Sequence, residues 1–286
     1  MDPDVNPVKG EFETGYLRVS LRQRLLNCEN SDLAPVFKRW LPSNQPVLEA
    51  GAGVGIWVAW FVKNNWKTVG LEWSETLCAK AGKKIPGAFF TAADMRFMPF
   101  TDGAFGSVVA LGSIEHLSEG PLRMLSEFRR VLGKDGIAVI TVPCNGPLRR
   151  VVRSVKSPLR MIKYSPLFRK ITGKPFLEGK NLRAALRETV QDWAAEFHYD
   201  RSGWHFYEYQ FTASQMRAFF QEAGLTVIEE SVIMADSGIY NTLRGLAGRY
   251  DPVSGRVFLS ATGKIIKRFF GTNATGHMLC YVVGKG

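Results

Sequence analysis

The sequence predicts an α/β protein: a doubly wound, mostly parallel seven-stranded sheet with a basic helical insertion after strand five. Three observations carry this expectation. Short β-rich runs alternate with amphipathic segments from Pro46 to Val142, the signature of parallel strands covered by helices. The first apolar run ends in a glycine-dense turn, Gly51-Ala52-Gly53-Val54-Gly55, that opens onto a helical pattern. Between Arg149 and Arg187, twelve Lys or Arg stand against one acid, Glu178, in a stretch that breaks the alternation.

The elements follow in order. Residues 1–45 read as a helical lead-in, because Leu17, Leu21, Arg24 and Leu25, then Leu33, Val36 and Phe37, recur at helical spacing until Pro42 and Pro46 interrupt them. Residues 46–145 carry the alternating core. Strands are expected at Pro46 to Ala50, Lys67 to Glu72, Ala88 to Ala92, Ser107 to Leu111 and Gly136 to Val142, with helices at Ile56 to Lys63, Ser74 to Lys84 and Pro121 to Leu132. Residues 146–211 form the basic insertion. Residues 212–286 return to the core, with a helix over Thr212 to Ala223 stopped by Gly224, then antiparallel strands Thr226 to Ile233 and His277 to Val283.

Composition narrows the function classes. At 286 residues and 45% hydrophobic, the chain can bury a large core. Its apolar runs are strand-sized, well short of the roughly 20 residues a membrane-spanning helix needs. The polar N-terminus, with Asp2, Asp4 and two prolines, is unlike a secretory leader. Cys28, Cys78, Cys144 and Cys280 lie far apart without a C-x-x-C or a histidine pair, so the expectation is no metal site and a reducing cytoplasm. The basic segment accounts for the whole formal charge of +11, so the anionic partner it implies is met locally.

The chemistry concentrates after the first strand. Glycine at positions 51, 53 and 55 lets the backbone approach a ligand and present amides at a helix N-terminus. Glu72, at the end of the next strand, is placed to accept both hydroxyls of a ribose. A nicotinamide fingerprint would need its third glycine at Ile56, which excludes that reading. Glu49 is an acid at the end of an otherwise apolar strand, costly unless something polar meets it.

The spacing Gly51-x-Gly53-x-Gly55 resembles the class I S-adenosylmethionine-dependent methyltransferases, and the small-molecule, quinone-biosynthesis-like members among them. The similarity continues through Ala92-Ala93-Asp94-Met95, Met98-Pro99-Phe100, Gly112-Ser113-Ile114-Glu115-His116-Leu117 and Glu127 to Gly136, about a third of the chain. The resemblance implies a Rossmann-like fold, S-adenosyl-L-methionine as cofactor and S-adenosyl-L-homocysteine as product. It implies Glu49 near the methionine moiety, Asp94 and Met95 near adenine, Trp73 as a stacking candidate, and Leu111, Ser113 and His116 lining the pocket.

Such a cofactor carries an activated methyl, so a base is required only if the acceptor must lose a proton. His116, and the cluster His205, Tyr207, Glu208 and Tyr209 within Trp204 to Thr212, are the candidates, with His116, His205 and Tyr207 foremost. Around the insertion, Leu148, Val151, Val152 and Val155 share a helical face flanked by Arg149, Arg150, Arg153 and Lys156, and a second basic amphipathic stretch covers residues 256–270. These suit a small anionic or lipid-linked acceptor and an anionic membrane surface at the inner face of a membrane. Oxygen is the expected methylated atom. Nucleic acid is disfavoured: Gly112-Ser113-Ile114-Glu115 stands where DNA amine methylation uses Asp/Asn-Pro-Pro-aromatic, and Pro143-Cys144 follows strand five rather than strand four. RNA methylation, methylation of a metabolite at carbon or nitrogen, and a cofactor-binding scaffold are the alternatives.

Overall fold

The computed structural model describes residues 21–173, 179, 181–190, 192–200 and 203–286. The lead-in before residue 21, including Leu17, and Lys174, Glu178 and Lys180 of the basic segment lie outside the described residues.

Two helices, α1 (Leu21–Glu29) and α2 (Leu33–Trp40), precede the core. Then β1 (Val47–Ala50), α3 (Ile56–Lys63), β2 (Thr68–Glu72), α4 (Glu75–Lys84), β3 (Phe89–Ala92) and β4 (Phe105–Leu111) follow in strict alternation up to β3. After a 3-10 turn at Ile114–His116 come α5 (Leu122–Val131) and β5 (Leu132–Pro143). At the C-terminal end of the chain lie α9 (Ala213–Glu222), β8 (Leu225–Ile233) and β11 (Met278–Lys285). The seven strands form one sheet in the order β3-β2-β1-β4-β5-β11-β8, with β11 antiparallel to both of its neighbours and the other pairings parallel. Strand order reverses between β1 and β4, which opens a crevice at their C-terminal ends.

Burial explains the pattern. β1 is buried on both faces, and β4 is buried from Phe105 to Ala110, as central parallel strands require. Leu48, Ala50, Val108 and Ile140 face a core shared with Met124, Phe128, Met216 and Phe220 of α5 and α9. Val47, Val109 and Val139 face Phe37, Trp60 and Phe61 on the other side. Here Trp57 and Phe61 meet Phe37 edge-to-face, Trp66 stacks on Trp60, and Trp60 Nε1 donates to Glu29 Oε2 at 2.8 Å, so the lead-in helices are anchored to the sheet.

Local chemistry sets the boundaries. Ser74 caps α4 by accepting from the Leu77 amide. Thr212 and Gln215 form a capping box at α9, and Gly224, at φ +68°, ends it. β5 begins at Leu132 rather than Gly136, because Leu132 already pairs with Phe105 before a register irregularity.

The insertion departs from a wholly helical expectation. Helices α6 (Pro147–Tyr164), α7 (Pro166–Ile171) and α8 (Leu182–Arg187) are followed by an antiparallel hairpin, β6 (Ala194–Asp200) and β7 (Gly203–Gln210). The aromatic density of Phe197, Tyr199, Trp204, Phe206 and Tyr209 favours a pleated, half-buried surface. The stretch 256–270 is likewise divided: β10 (Arg256–Leu259) pairs with β9 (Gly248–Asp251), and α11 (Ala261–Thr275) starts after the Ser260 cap and kinks at Gly271. Helix α10 (Ala235–Leu243) packs on α11 and was not legible in the sequence.

Candidate active site

The glycine turn sits at the C-terminal end of β1, on the crevice. Gly51, Gly53 and Gly55 all have positive φ (+82°, +55° and +75°), and for two of them the surroundings also demand glycine. A Cβ on Gly51 would lie 2.8 Å from Ser113 Cβ, with Met95 Cε at 3.8 Å, so Gly51, Met95 and Ser113 are neighbours. A Cβ on Gly55 would strike Ile85 and Phe90 at 2.7 Å, whereas one on Gly53 would enter open space. Gly55 is also the N-cap of α3 and offers no side chain to its first amides.

Two carboxylates frame this turn. Glu72 is buried; its Oε2 accepts from the Gly53 amide at 2.9 Å and its Oε1 from the Ser74 amide at 3.0 Å, so it shapes the turn as well as facing the crevice. Glu49 is buried at the end of β1, and its Oε2 has no hydrogen-bond partner. Burial pushes its acid up to about 8, against the Val58 backbone hydrogen bond and with the help of the nearby Glu72 charge. An orphaned, fully desolvated acceptor beside an anion-tolerant turn fits a ligand that carries both a cationic ammonium and hydroxyl or carboxylate groups.

Asp94, the expected adenine contact, is held in place by its neighbour Arg96. Burial alone would raise its acid, but Arg96 overrides that with a side-chain and a backbone hydrogen bond and holds it below the usual range. The guanidinium reaches Asp94 Oδ2 at 2.7 Å through Nη2 and Glu119 Oε1 at 2.8 Å through Nη1. Asp94 therefore fixes the loop after β3, with its carboxylate engaged by Arg96. Trp73 is half-exposed at the end of β2, Leu111 ends β4, and Ser113 Oγ donates to the Ala50 carbonyl at 3.2 Å, which ties the β4 end to β1.

On the other side of Ser113 the 3-10 turn meets the inserted hairpin. His116 Nδ1 lies 2.7 Å from the Tyr207 carbonyl oxygen, and its ring meets the Tyr207 ring at 5.2 Å edge-on. Tyr207 in turn stacks on His198 at 4.0 Å. His116 and Tyr207 are thus brought together, but through the tyrosine backbone and ring face. His205 pairs opposite His198 in the hairpin register. Burial pushes His116 below its ordinary value, against hydrogen bonding with the Tyr207 and Gly112 backbone.

A polar cluster that spacing alone does not reveal completes the site. Arg149 of α6 donates to the Cys144 carbonyl at 2.9 Å and to His277 Nδ1 at 2.6 Å. Burial pushes His277 down to about 4, helped by the Arg149 charge. Burial also raises Glu208 of β7 to about 7, with Arg149 opposing and Glu196 adding to the shift. Arg153 bridges Glu196 and Gln210, which fastens α6 to the hairpin. Glu115 is buried with an unpartnered Oε2, and burial pushes its acid well above the carboxylate range. Its flanks, Ile114 and Leu117, were the available signal: an acid in an apolar turn. The surface cleft at Arg129, Arg217, Leu225 and Gly286 lies at the opposite end of the strands from the glycine turn.

Comparison with known proteins agrees with this geometry. A family model described as Methyltransferase domain matches residues 21–230. Among solved structures, the chain is similar to the PH0226 protein from Pyrococcus horikoshii OT3 at 15% identity and a TM-score of 0.55, over 93% of this chain and 91% of that one. It is also similar to the S-adenosylmethionine dependent methyltransferase from Mesorhizobium loti at 11% identity and a TM-score of 0.52, over 90% and 99% of the two chains. No curated protein matches it in sequence. With the family model spanning most of the chain and the sheet order in place, the chain belongs to the methyltransferase domain family, the class I S-adenosylmethionine-dependent methyltransferases.

Proposed function

We propose that the chain transfers the methyl group of S-adenosyl-L-methionine to an oxygen of a small-molecule or lipid-linked anionic acceptor. The observation that carries this reading is the polar cluster where the 3-10 turn, α6 and the inserted hairpin meet. It sets the Arg149 guanidinium beside Glu208, and Glu208 within reach of Glu115 and His116. An anionic acceptor answers the arginine. A hydroxyl acceptor answers the buried acids and imidazole, since it must lose a proton before or during transfer.

Glu49, Glu72 and the amides of the glycine turn are the residues that would hold the cofactor, with Met95, Leu111, Ser113 and Trp73 around them. When bound, the cofactor supplies a methyl already activated on a positive sulfur. The chain's part is then to orient the acceptor, exclude water and accommodate the acceptor's proton. Arg153, Glu196 and Gln210 support this by locking α6 to β7 over the site.

The lipid-linked form of the acceptor is supported by apolar side chains left exposed around the insertion. Val151, Val155 and Ile162 of α6, Leu167 and Ile171 of α7, and Phe269 of α11 lie exposed among basic residues, and α6 and α11 touch. None of the described helices is long and apolar enough to cross a membrane. The test is incubation of the purified chain with methyl-labelled cofactor and a fractionated cell extract. Label in an acidic small molecule or an anionic lipid fraction is expected. Label confined to bulk RNA or protein overturns the acceptor assignment.

A further inference from the structure

Two acids from distant parts of the chain meet where the inserted hairpin reaches the 3-10 turn, and their surroundings differ. A carboxyl oxygen of Glu115 and one of Glu208 lie within 4.8 Å of each other. At that separation in a poorly hydrated site two negative charges repel strongly, so one of the two acids keeps its proton near neutral pH. Glu115 is only 1% exposed, and its Oε2 finds no hydrogen-bond donor. Burial and the neighbouring Glu208 both oppose a charge there, with only its own backbone amide in favour. Glu208 is half-buried. Burial raises its acid to about 7, but the Arg149 guanidinium favours the ionised form, and Gln210 and Arg153 add to that. Glu196, opposite Glu208 in the hairpin register, opposes the charge while being itself paired with Arg153. These unequal surroundings assign the proton to Glu115 and the charge to Glu208. His116 is already engaged: its Nδ1 meets the Tyr207 carbonyl at 2.7 Å, and the Gly112 backbone hydrogen-bonds with it as well.

We infer that Glu208 is the catalytic base of the proposed transfer, and that Glu115, un-ionised beside it, is a positioning acid that confines the negative charge to Glu208. The step needs no further reactant. The acceptor's O–H bond breaks and its proton passes to the Glu208 carboxylate. The electron pair left on that oxygen forms the bond to the methyl carbon, and the pair of the broken methyl–sulfur bond stays on sulfur. Nothing is oxidised or reduced, and Glu208 afterwards returns its proton to water. Glu208 is thereby placed ahead of His116, His205 and Tyr207 as the group that takes the proton. The base role rests on the oxygen-acceptor reading, whereas the position of the proton in the free chain does not.

Two measurements test this. Infrared spectra of the full chain, without cofactor or acceptor and titrated through neutral pH, report the proton. Subtracting Glu115→Gln from the unaltered chain should leave an un-ionised carboxyl band that survives above neutral pH. Subtracting Glu208→Gln should leave a carboxylate band that grows in as pH rises through about 7. A Glu115 ionised at neutral pH overturns the inference. Single-turnover transfer of labelled methyl from S-adenosyl-L-methionine into the acidic fraction of a cell extract reports the base. The rate should fall as pH drops through about 7, and Glu208→Gln should slow it about 100-fold or more and abolish that dependence. Glu208→Asp should restore part of the rate, and calorimetric binding of S-adenosyl-L-homocysteine should be unchanged in both variants. An unslowed Glu208→Gln overturns the inference while methyl transfer stands. An unaltered chain that labels nothing instead fails the oxygen-acceptor reading and takes the base role with it, and the infrared titration still decides where the proton lies. If Glu208→Gln folds poorly, the profile of the unaltered chain decides, and a rate that stays flat through about pH 7 overturns the base.

Discussion

Gly53 and Gly55 share a left-handed backbone, yet a side chain at each would do different harm. At Gly55 the new Cβ collides with Ile85 and Phe90, so Gly55→Val should lower the melting temperature strongly. At Gly53 nothing stands within 4 Å, so Gly53→Val should cost about 1–2 kcal/mol of backbone strain and, by filling the crevice, weaken S-adenosyl-L-homocysteine binding by about tenfold or more. Calorimetry beside thermal melts separates the two, and unimpaired binding in Gly53→Val would remove the turn from the cofactor site. Glu49 makes a prediction in pH. Its folded acid, raised to about 8 from 4.5, binds more proton than the unfolded chain, so its contribution to stability is present below pH 4.5 and lost as pH rises through 8. The slope is at most about 1.4 kcal/mol per pH unit. Denaturant titrations should find Glu49→Gln gaining stability relative to the unaltered chain from pH 5 to 8, while binding cofactor more weakly. A parallel pH dependence in the two proteins would contradict the buried, unpartnered acid.

At the scale of elements, what the sequence could tell depended on how local the cause was. The β1 turn, the Ser74 cap and the Thr212 capping box are set by neighbours within a few residues, and periodicity located α3, α4, α5 and α9 nearly to the residue. The hairpin β6–β7 pairs locally, Asp200 opposite Gly203, but its anchor Arg153 comes from the separate helix α6. For the same reason the meeting of Glu115 with Glu208, and of Arg149 with His277, could not be read from spacing, though each residue was visible as a polar group in apolar company. Asp94 shows the converse: a motif position legible in sequence whose carboxylate is engaged by a neighbour, Arg96, two residues on. Thr212→Ala tests the local logic, since loss of the cap should cost about 1 kcal/mol, a drop of roughly 2–4 °C in melting temperature. Arg153→Ala tests the long-range logic. Freed from Glu196 and Gln210, the hairpin should raise the acceptor KM several-fold and leave cofactor affinity unchanged.

Across the whole molecule, net charge is segregated from the cofactor half. The formal +11 resides in one segment after β5, and exposed Val155, Ile171 and Phe269 belong to the same insertion and its neighbour α11. A headgroup surface would meet both features at once. Flotation with anionic vesicles should therefore retain the protein at low salt and release it at high salt, and Phe269→Ser should weaken retention; absence from the vesicle fraction at low salt would count against a membrane-presented acceptor. The central claim is narrower and independent of the acceptor: the turn after β1, with Glu49 and Glu72, binds the methyl donor. Isothermal titration of the intact chain with S-adenosyl-L-methionine and with S-adenosyl-L-homocysteine tests it directly. One site for each ligand, lost together in Gly53→Val, is the predicted result; no heat from either ligand would contradict the account.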